Sequence, residues 1–457
     1  MMTLDNAARR RQSAGALALL GLLLLAHPAG TWAQSVYYVR TGATGANNGS
    51  DWNNAFAALP ASLQRGATYY LAAGTYPAPT FTDPEQGSTL ITITSATVSN
   101  HGTDTGWAGS YAGQAIFLGE AFFETGYYTV DGQTRGQDWR SGYRIRFWNQ
   151  GNLYGAAVHL LANHLTFKYV EVQGTTDQAS LSGSAGDYGF HTEAQITDLY
   201  VGYSYIHETG NTQFQINYGN SDRFTCEYNC IYKNHTAANA NHDEAFSLTF
   251  SNSIIRYNLI QDIISTAVIA TAAAGTPTLA NWEIYGNVFF WSSSYQTGNF
   301  AFITDGIISM IDQHWSGYFR FYNNTIAGIK NPTNLDNAGL NLNGISGATV
   351  YNNLWYDCPN VQNFAPGLTT VDYNSYYGGS NNPNDTSPHK EVAPGNPFVS
   401  VNALDFRLTA GTAAGIILGA PYNKDLLGAS RGADGVWDRG AYEFNGASSQ
   451  GTRASPR

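Results

Sequence analysis

The feature that most constrains this chain is a six-residue pattern that returns eight times from about Leu165 onward. The rows are Phe167–Val172, Val201–Ile206, Cys226–Ile231, Ile255–Ile260, Ile284–Phe289, Phe321–Ile326, Val350–Trp355 and Val371–Tyr376. They align without internal gaps, and the fourth position is Asn in six consecutive rows: Asn229, Asn258, Asn287, Asn324, Asn353 and Asn374. Successive rows start 21 to 37 residues apart, which suits a solenoid with loops of variable length. Ahead of each Asn, apolar and polar residues alternate with the period of a strand. At the Asn the alternation stops, so the chain is expected to bend there, with the Asn itself in left-handed or bridge geometry. Its amide is then expected to bond to the Asn one coil above and one coil below. Eight rows at ~4.8 Å per coil predict a core roughly 34 Å long.

Composition agrees with such a stack. Only 12% of the 457 residues are charged, and Gly (49) and Tyr (30) are abundant, which argues against coiled coils, helix bundles and disorder. The formal charge is −11 with no basic run after the first dozen residues, which excludes a nucleic-acid footprint. The N-terminus reads as a secretory signal peptide. Arg9, Arg10 and Arg11 precede an uncharged apolar run, Ala14 to Ala26, and Thr31 and Ala33 supply small residues for cleavage after Ala33. Removing residues 1–33 makes the net charge two units more negative. No second run of about 18 apolar residues follows. The expected product is secreted or periplasmic, monomeric, and free of the membrane once the signal is cleaved. It is expected to be one domain over residues 34–444, with an N-terminal cap region at 34–90, a C-terminal closing segment at 395–444, and a flexible tail at 445–457.

Three cysteines, Cys226, Cys230 and Cys358, are too few for a disulfide framework in a secreted chain of this length. In the repeat register Cys226 shares a column with Val201, Ile255, Ile284 and Val350, and Cys230 with Leu259, Val288 and Leu354. Both are expected to be small, reduced core residues rather than a disulfide or a metal pair.

Stacked Asn rows of this kind resemble the right-handed parallel β-helix of the pectate-lyase-like superfamily. Val36–Arg40, Asn48–Trp52 and Gly66–Tyr76 resemble the N-terminal cap of secreted bacterial β-helix proteins, and Asp405–Leu408 with Trp437–Phe444 resembles their closing segment. The resemblance covers nearly the whole mature chain. It implies an all-β fold, a right-handed parallel β-helix with an Asn ladder and terminal caps. It selects no activity, because that superfamily hosts lyases, hydrolases, esterases, epimerases, adhesins and tailspikes.

Chemistry is sought on a second strand upstream of each Asn row. Phe190, Phe214 with Ile216, Phe246 with Leu248, Phe300 with Phe302, and Leu340 with Leu342 read as inward. Their outward partners are His191 and Glu193, Gln215 and Asn217, Ala245 and Ser247, Ala301, and Asn341 and Asn343. This polar, amide-rich strip suits sugar hydroxyls and equally suits an ordinary solvent-facing sheet. His191, Glu193, Gln215, Asn217 and Ser247 are the candidate substrate-binding residues. Past the Asn column, Glu208, Lys233 and Asp262 occupy one position in successive coils. Stacked opposite charges contribute about 0.2–1 kcal/mol; the functional reading makes Lys233 a base held beside carboxylates.

The densest titratable cluster runs from Lys233 and His235 to His242, Asp243 and Glu244, with His207 and Glu208 one coil earlier. Lys233, His242, Glu244 and His207 are the candidate catalytic residues, and Glu208, Asp243 and Asp262 are candidate oxygen ligands for Ca²⁺. In β-elimination a base removes the proton alpha to a uronate carboxyl while a cation or amides stabilise the enolate. Glycoside hydrolysis instead needs two carboxylates. The His-rich set favours elimination, although the acidic chain repels an acidic polymer unless Ca²⁺ or local Arg and Lys offset it. The sequence therefore reads as a secreted protein acting on polysaccharide, first as a uronate lyase. A non-catalytic carbohydrate-binding or surface-structural β-helix and a glycoside hydrolase remain open.

Overall fold

Strand pairing is parallel throughout the body of the protein. The computed structural model describes residues 35–152, 154–175, 186–234, 244–271, 279–293, 306–311, 315–330, 337–342, 345–362 and 369–446. The signal peptide expected at 1–33 and most of the tail expected at 445–457 lie outside these residues. Among the described residues no helix is long and apolar enough to cross a membrane.

The strands form a 19-stranded sheet and a 12-stranded sheet, with a small two-stranded sheet near the C-terminus. The 19-stranded sheet holds two columns of strands, called here front and middle. Two long strands, Phe214–Glu227 and Phe246–Arg256, run through both columns and join them. The 12-stranded sheet is the rear. One coil passes from front (Tyr188–His191) to middle (Thr197–Gly202) to rear (Tyr205–Thr209). The next coil then pairs in parallel on top, with Phe190 beside Phe214, Val201 beside Cys226 and Ile206 beside Ile231. The protein is a parallel β-helix.

All eight rows pair in the expected register. The stack is longer than those rows, because Tyr37, Tyr69, Ile93 and Val130 continue the column of Phe167 toward the N-terminus. Eleven steps at ~4.8 Å make it roughly 53 Å long. The segment expected as a cap thus supplies coils of its own. The loop after its first strand does the capping: Tyr38 N donates to Gly49 O at 3.0 Å and Arg40 N to Phe56 O at 2.8 Å. These bonds cover the free edge of strand Val36–Val39, which would otherwise template pairing with another chain. Trp52 is buried against Tyr38, with ring centroids 4.8 Å apart.

The Asn ladder is continuous. Asn229 Nδ2 donates to Asn258 Oδ1 (3.1 Å), Asn258 Nδ2 to Asn287 Oδ1 (3.0 Å) and Asn287 Nδ2 to Asn324 Oδ1 (3.1 Å). Asn324 and Asn353 carry it on to Asn374. The bend differs from the expectation in one respect. The left-handed residue is the one before each Asn: Tyr228 (φ 55°), Tyr257 (φ 55°), Gly286 (φ 66°), Asn323 (φ 53°), Asn352 (φ 57°) and Tyr373 (φ 53°). A side chain there costs about 1–2 kcal/mol. Stacking offsets some of it: Tyr169, Tyr203, Tyr228 and Tyr257 form a column with successive ring centroids 5.0 Å apart.

The C-terminal segment does not close the end of the stack. It folds back along the outer face of the rear sheet. Arg439 Nη1 donates to Asn374 O at 3.0 Å, Trp437 Nε1 to Asn323 Oδ1 at 3.2 Å, and Tyr257 Oη to Lys424 O at 3.3 Å. Outward-facing Leu259, Val288 and Leu354 are buried beneath it with Phe398, Phe406, Leu408, Trp437 and Tyr442. At its centre Arg431 is fully buried, 3.6 Å from Glu443 Oε2. Burial raises the Glu443 carboxyl to about 7. A carboxyl raised on folding stabilises fully below its unfolded value near 4.5, and that contribution is lost as pH rises through 7. The melting temperature of wild type relative to Glu443→Gln is therefore expected to fall between pH 5 and pH 8 in scanning calorimetry. A pH-independent difference contradicts this account.

Cys226, Cys230 and Cys358 are free and buried. Cys226 lies inside the coil, as expected. Cys230 faces outward and is buried instead under the loop carrying Trp139 and Tyr143. Burial raises all three thiols, Cys358 to about 12. A thiol reagent is expected to find none in the native protein and all three after unfolding; a count of one would mean a disulfide.

Candidate active-site cleft

The outer face of the front column brings together residues from successive coils. Phe122, His159, His191, Gln215, Ser247, Ile269, Ser309 and Asn341 share one register position. Alternation sets their direction: Val158 and Leu160 are buried on either side of His159, and Phe190 is buried beside His191. This face is open from Phe122 to Asn217. Farther along, Ser247 and Ile269 are 5% and 4% exposed and Ser309 is fully buried.

Within the open stretch, His159 and His191 sit on adjacent coils with ring centroids 5.7 Å apart. Phe122 stacks on His159 at 4.2 Å and Tyr188 on His191 at 4.9 Å. His159 Nε2 is 3.8 Å from Glu120 Oε1. That carboxylate accepts from Asn152 Nδ2 (2.7 Å) and Ala156 N (3.2 Å). It lies so close to the chain that a Cβ on Gly155 would be 1.3 Å from Oε1, so any side chain there would push the carboxylate aside. Burial depresses both imidazoles below their ordinary value, and His159 depresses His191 further. Glu120 and Glu193 oppose this for His159, and Glu193 for His191, without reversing it. At pH 7 and above this favours the neutral rings, whose lone pairs can serve as a base. Tyr154 and Tyr218, 73% and 55% exposed, stand at opposite ends of the front strands. Large exposed aromatics flanking a polar face are the usual marks of a binding surface.

The structure brings His191, Glu193, Gln215 and Asn217 to this face as expected. Ser247 accepts from Asn217 Nδ2 at 3.4 Å but is buried. Ala245, expected outward, is in the interior, because the chain turns its corner there. Phe300, Ala301, Phe302 and Asn343 lie outside the described residues. At the level expected for Phe300, the described inward residues are Ile308 and Met310, and a coil carrying Val268 and Ala270 precedes them.

The remaining candidates do not join this face. Glu208, Lys233 and Asp262 share one turn position at the edge of the rear sheet, with φ of 51°, 50° and 55°. His207, 6% exposed, is bracketed there, with Nε2 3.2 Å from Glu171 and Nδ1 3.3 Å from Glu208. His207, then Lys233 and Gln173, hold Glu208 below the usual carboxylate range. Asp262 is raised by burial, and its oxygens accept from Ser292 N (2.6 Å), Ser292 Oγ (3.1 Å) and Gln261 Nε2 (2.8 Å). Lys233 stands between the two acids in the column, so Glu208 and Asp262 do not form an oxygen cage for Ca²⁺ with each other. The described residues include no cluster of three metal-ligating groups. His235, His242 and Asp243 lie outside the described residues. Glu244 is 2% exposed at the corner, its carboxylate accepting from Thr212 Oγ1 at 3.3 Å. Lys233 and Glu244 therefore do not roof the strip as the sequence suggests.

Sequence reasoning missed His159, Glu120, Phe122 and Tyr188. A signal existed in Ala156–Leu160, where a His interrupts Val and Leu at strand period.

No family model and no curated protein matches the chain. Among solved structures it is similar to pectate lyase Pel9A, at 17% identity over 90% of this chain and 96% of that one, with a TM-score of 0.49. It is also similar to the Dettilon tailspike protein, at 10% identity over 72% of this chain and 55% of that one, with a TM-score of 0.27. Likeness at this level concerns the path of the chain and carries no chemistry. The strand pairing itself makes this protein a parallel β-helix.

Proposed function

We propose that this protein is exported by its N-terminal signal and cleaves a uronate-containing polysaccharide by β-elimination on the open front face. The observation that carries the reading is the pair of imidazoles, His159 and His191, on adjacent coils at one register position beside Glu120 and Glu193, both held below the ordinary histidine value by burial. In this reading His191 removes the C5 proton and the electron pair builds up on the uronate carboxyl; it then forms the C4–C5 double bond as the C4–O glycosidic bond breaks, and the departing oxygen takes a proton from water or from the protonated His191. The N–H of His159, beside Glu120, is placed to hold that carboxyl as charge builds on it. Tyr154 and Tyr218 would hold sugar units on either side of the reacting residue.

A second reading has its own support. Both imidazoles are packed in aromatic stacks, which also suits a face that binds glycan without cutting it. Incubation with a panel of polyuronates and neutral glycans, with and without chelator, separates the two. Elimination releases a product with the ultraviolet absorbance of an unsaturated uronate. Binding without such a product from any uronate polymer sinks the lyase reading and leaves the second. Loss of product with chelator restores Ca²⁺ to the chemistry.

A further inference from the structure

A cavity of about 370 Å³ opens on the rear sheet, away from the front face. Its origin is legible in the outward columns. Phe290, Ala327 and Tyr356 occupy one register position in three successive coils, and Gly328 follows Ala327 at the turn. Small residues in the middle coil leave a recess between two aromatic ones. The C-terminal segment roofs it with Asn396 and Val399–Asn402. Lys330 and Asp357 pair at the rim, 41% and 35% exposed. Ser293 and the edge of Trp291 complete the lining.

The polar groups are placed for a neutral, hydroxyl-rich ligand. Asn396 Oδ1 is used by Phe398 N at 2.9 Å, which leaves the Asn396 amide N–H groups for the recess. Ser400 Oγ accepts from Ala403 N at 3.3 Å and keeps its own proton to donate. The rim charges cancel, so the recess carries no net field for or against an acidic group. A half-exposed tyrosine beside amides, a hydroxyl and a bidirectional charge pair matches the alternating C–H and O–H faces of a sugar. The volume lies within the range of small-molecule sites.

We infer that this recess binds one or two sugar units of a glycan chain, at a site separate from the front face. It rests on the Proposed function only for the choice of carbohydrate as ligand, and not on cleavage. The full-length protein carrying His191→Ala, so that no probe is consumed, is titrated calorimetrically with cellotriose as a neutral probe and trigalacturonate as an acidic one. Saturable binding of either probe is expected. Asn402→Trp, which fills the mouth from an exposed position, and Lys330→Gln, which breaks the rim pair, are each expected to weaken it about tenfold or more. Both variants are expected to keep wild-type melting temperatures and, with His191 restored, wild-type cleavage of the acidic trisaccharide. No binding of either probe at about 10 mM overturns the inference. Equal binding by wild type and both folded variants overturns it too, and places the bound sugar on the front face.

Discussion

His191→Ala is expected to lower turnover of a uronate polymer by about 10²–10⁴, the range for loss of a positioned base. His159→Ala is expected to fall in the same range if it steadies the developing negative charge. Neither change should unfold the protein. Each removes two ring contacts worth about 0.5–1.5 kcal/mol apiece, which in a chain this long moves the melting temperature by only a few degrees. The pH profile gives a second readout. Burial depresses both imidazoles, so the neutral form persists to lower pH than in a free histidine. The acid limb of kcat/KM is therefore expected below about pH 6.5. An acid limb above that value, or full turnover in both variants, removes these histidines from the chemistry. Attention would then pass to Lys233, His242, Glu244 and His207.

Asn287→Leu is expected to cost about 3–5 kcal/mol of stability. Asn287 Nδ2 donates to Ile255 O (2.9 Å) and to Asn324 Oδ1 (3.1 Å). Its Oδ1 accepts from Asn258 N (2.9 Å) and Asn258 Nδ2 (3.0 Å). Leucine removes these four bonds and a fifth, from Nδ2 to Tyr285 O at 3.2 Å. It strands a buried backbone N–H and weakens four further groups where no water replaces the loss. Asn281 offers the contrast. Its amide also bonds one coil down, to Asn252 at 2.9 Å, but on the exposed surface. Asn281→Ala is expected to cost no more than about 1–2 kcal/mol, most of it from placing alanine at φ 56°. Urea unfolding of the two variants checks both values, and equal midpoints would show that the internal ladder is not the stronger.

The middle column is legible in the sequence because one residue type recurs where one geometry recurs. Asn229 to Asn374 satisfy a buried turn that every coil repeats, so they announce the register. The four coils before Leu165 stay hidden because their corners do not use that amide; even past them, Val170 N bonds Ser204 Oγ instead. The front column carries no such mark. Apart from the two long strands, its strands are two to five residues long between loops of unequal length. An apolar pair such as Phe300 and Phe302 therefore looks as good as Ile308 and Met310. The site is obscured for a related reason. Lys233 and Glu244 are close in sequence, but one is half-exposed on the rear edge and the other is buried just ahead of the front strand Phe246–Arg256. His159 and His191 are far apart in sequence, and only the coil pitch makes them neighbours.

The folded-back C-terminal segment changes how this protein meets its own synthesis. Coils can zip up one on another as they emerge, but Leu259, Val288 and Leu354 face outward and pack in one buried cluster with side chains from residues 398–442. Until those last residues arrive, a nearly complete solenoid carries a strip of bare aliphatic side chains down one flank. A nascent chain truncated before Phe398 is then sticky rather than merely short, and it also lacks the bond from Tyr257 Oη to Lys424 O, 167 residues away.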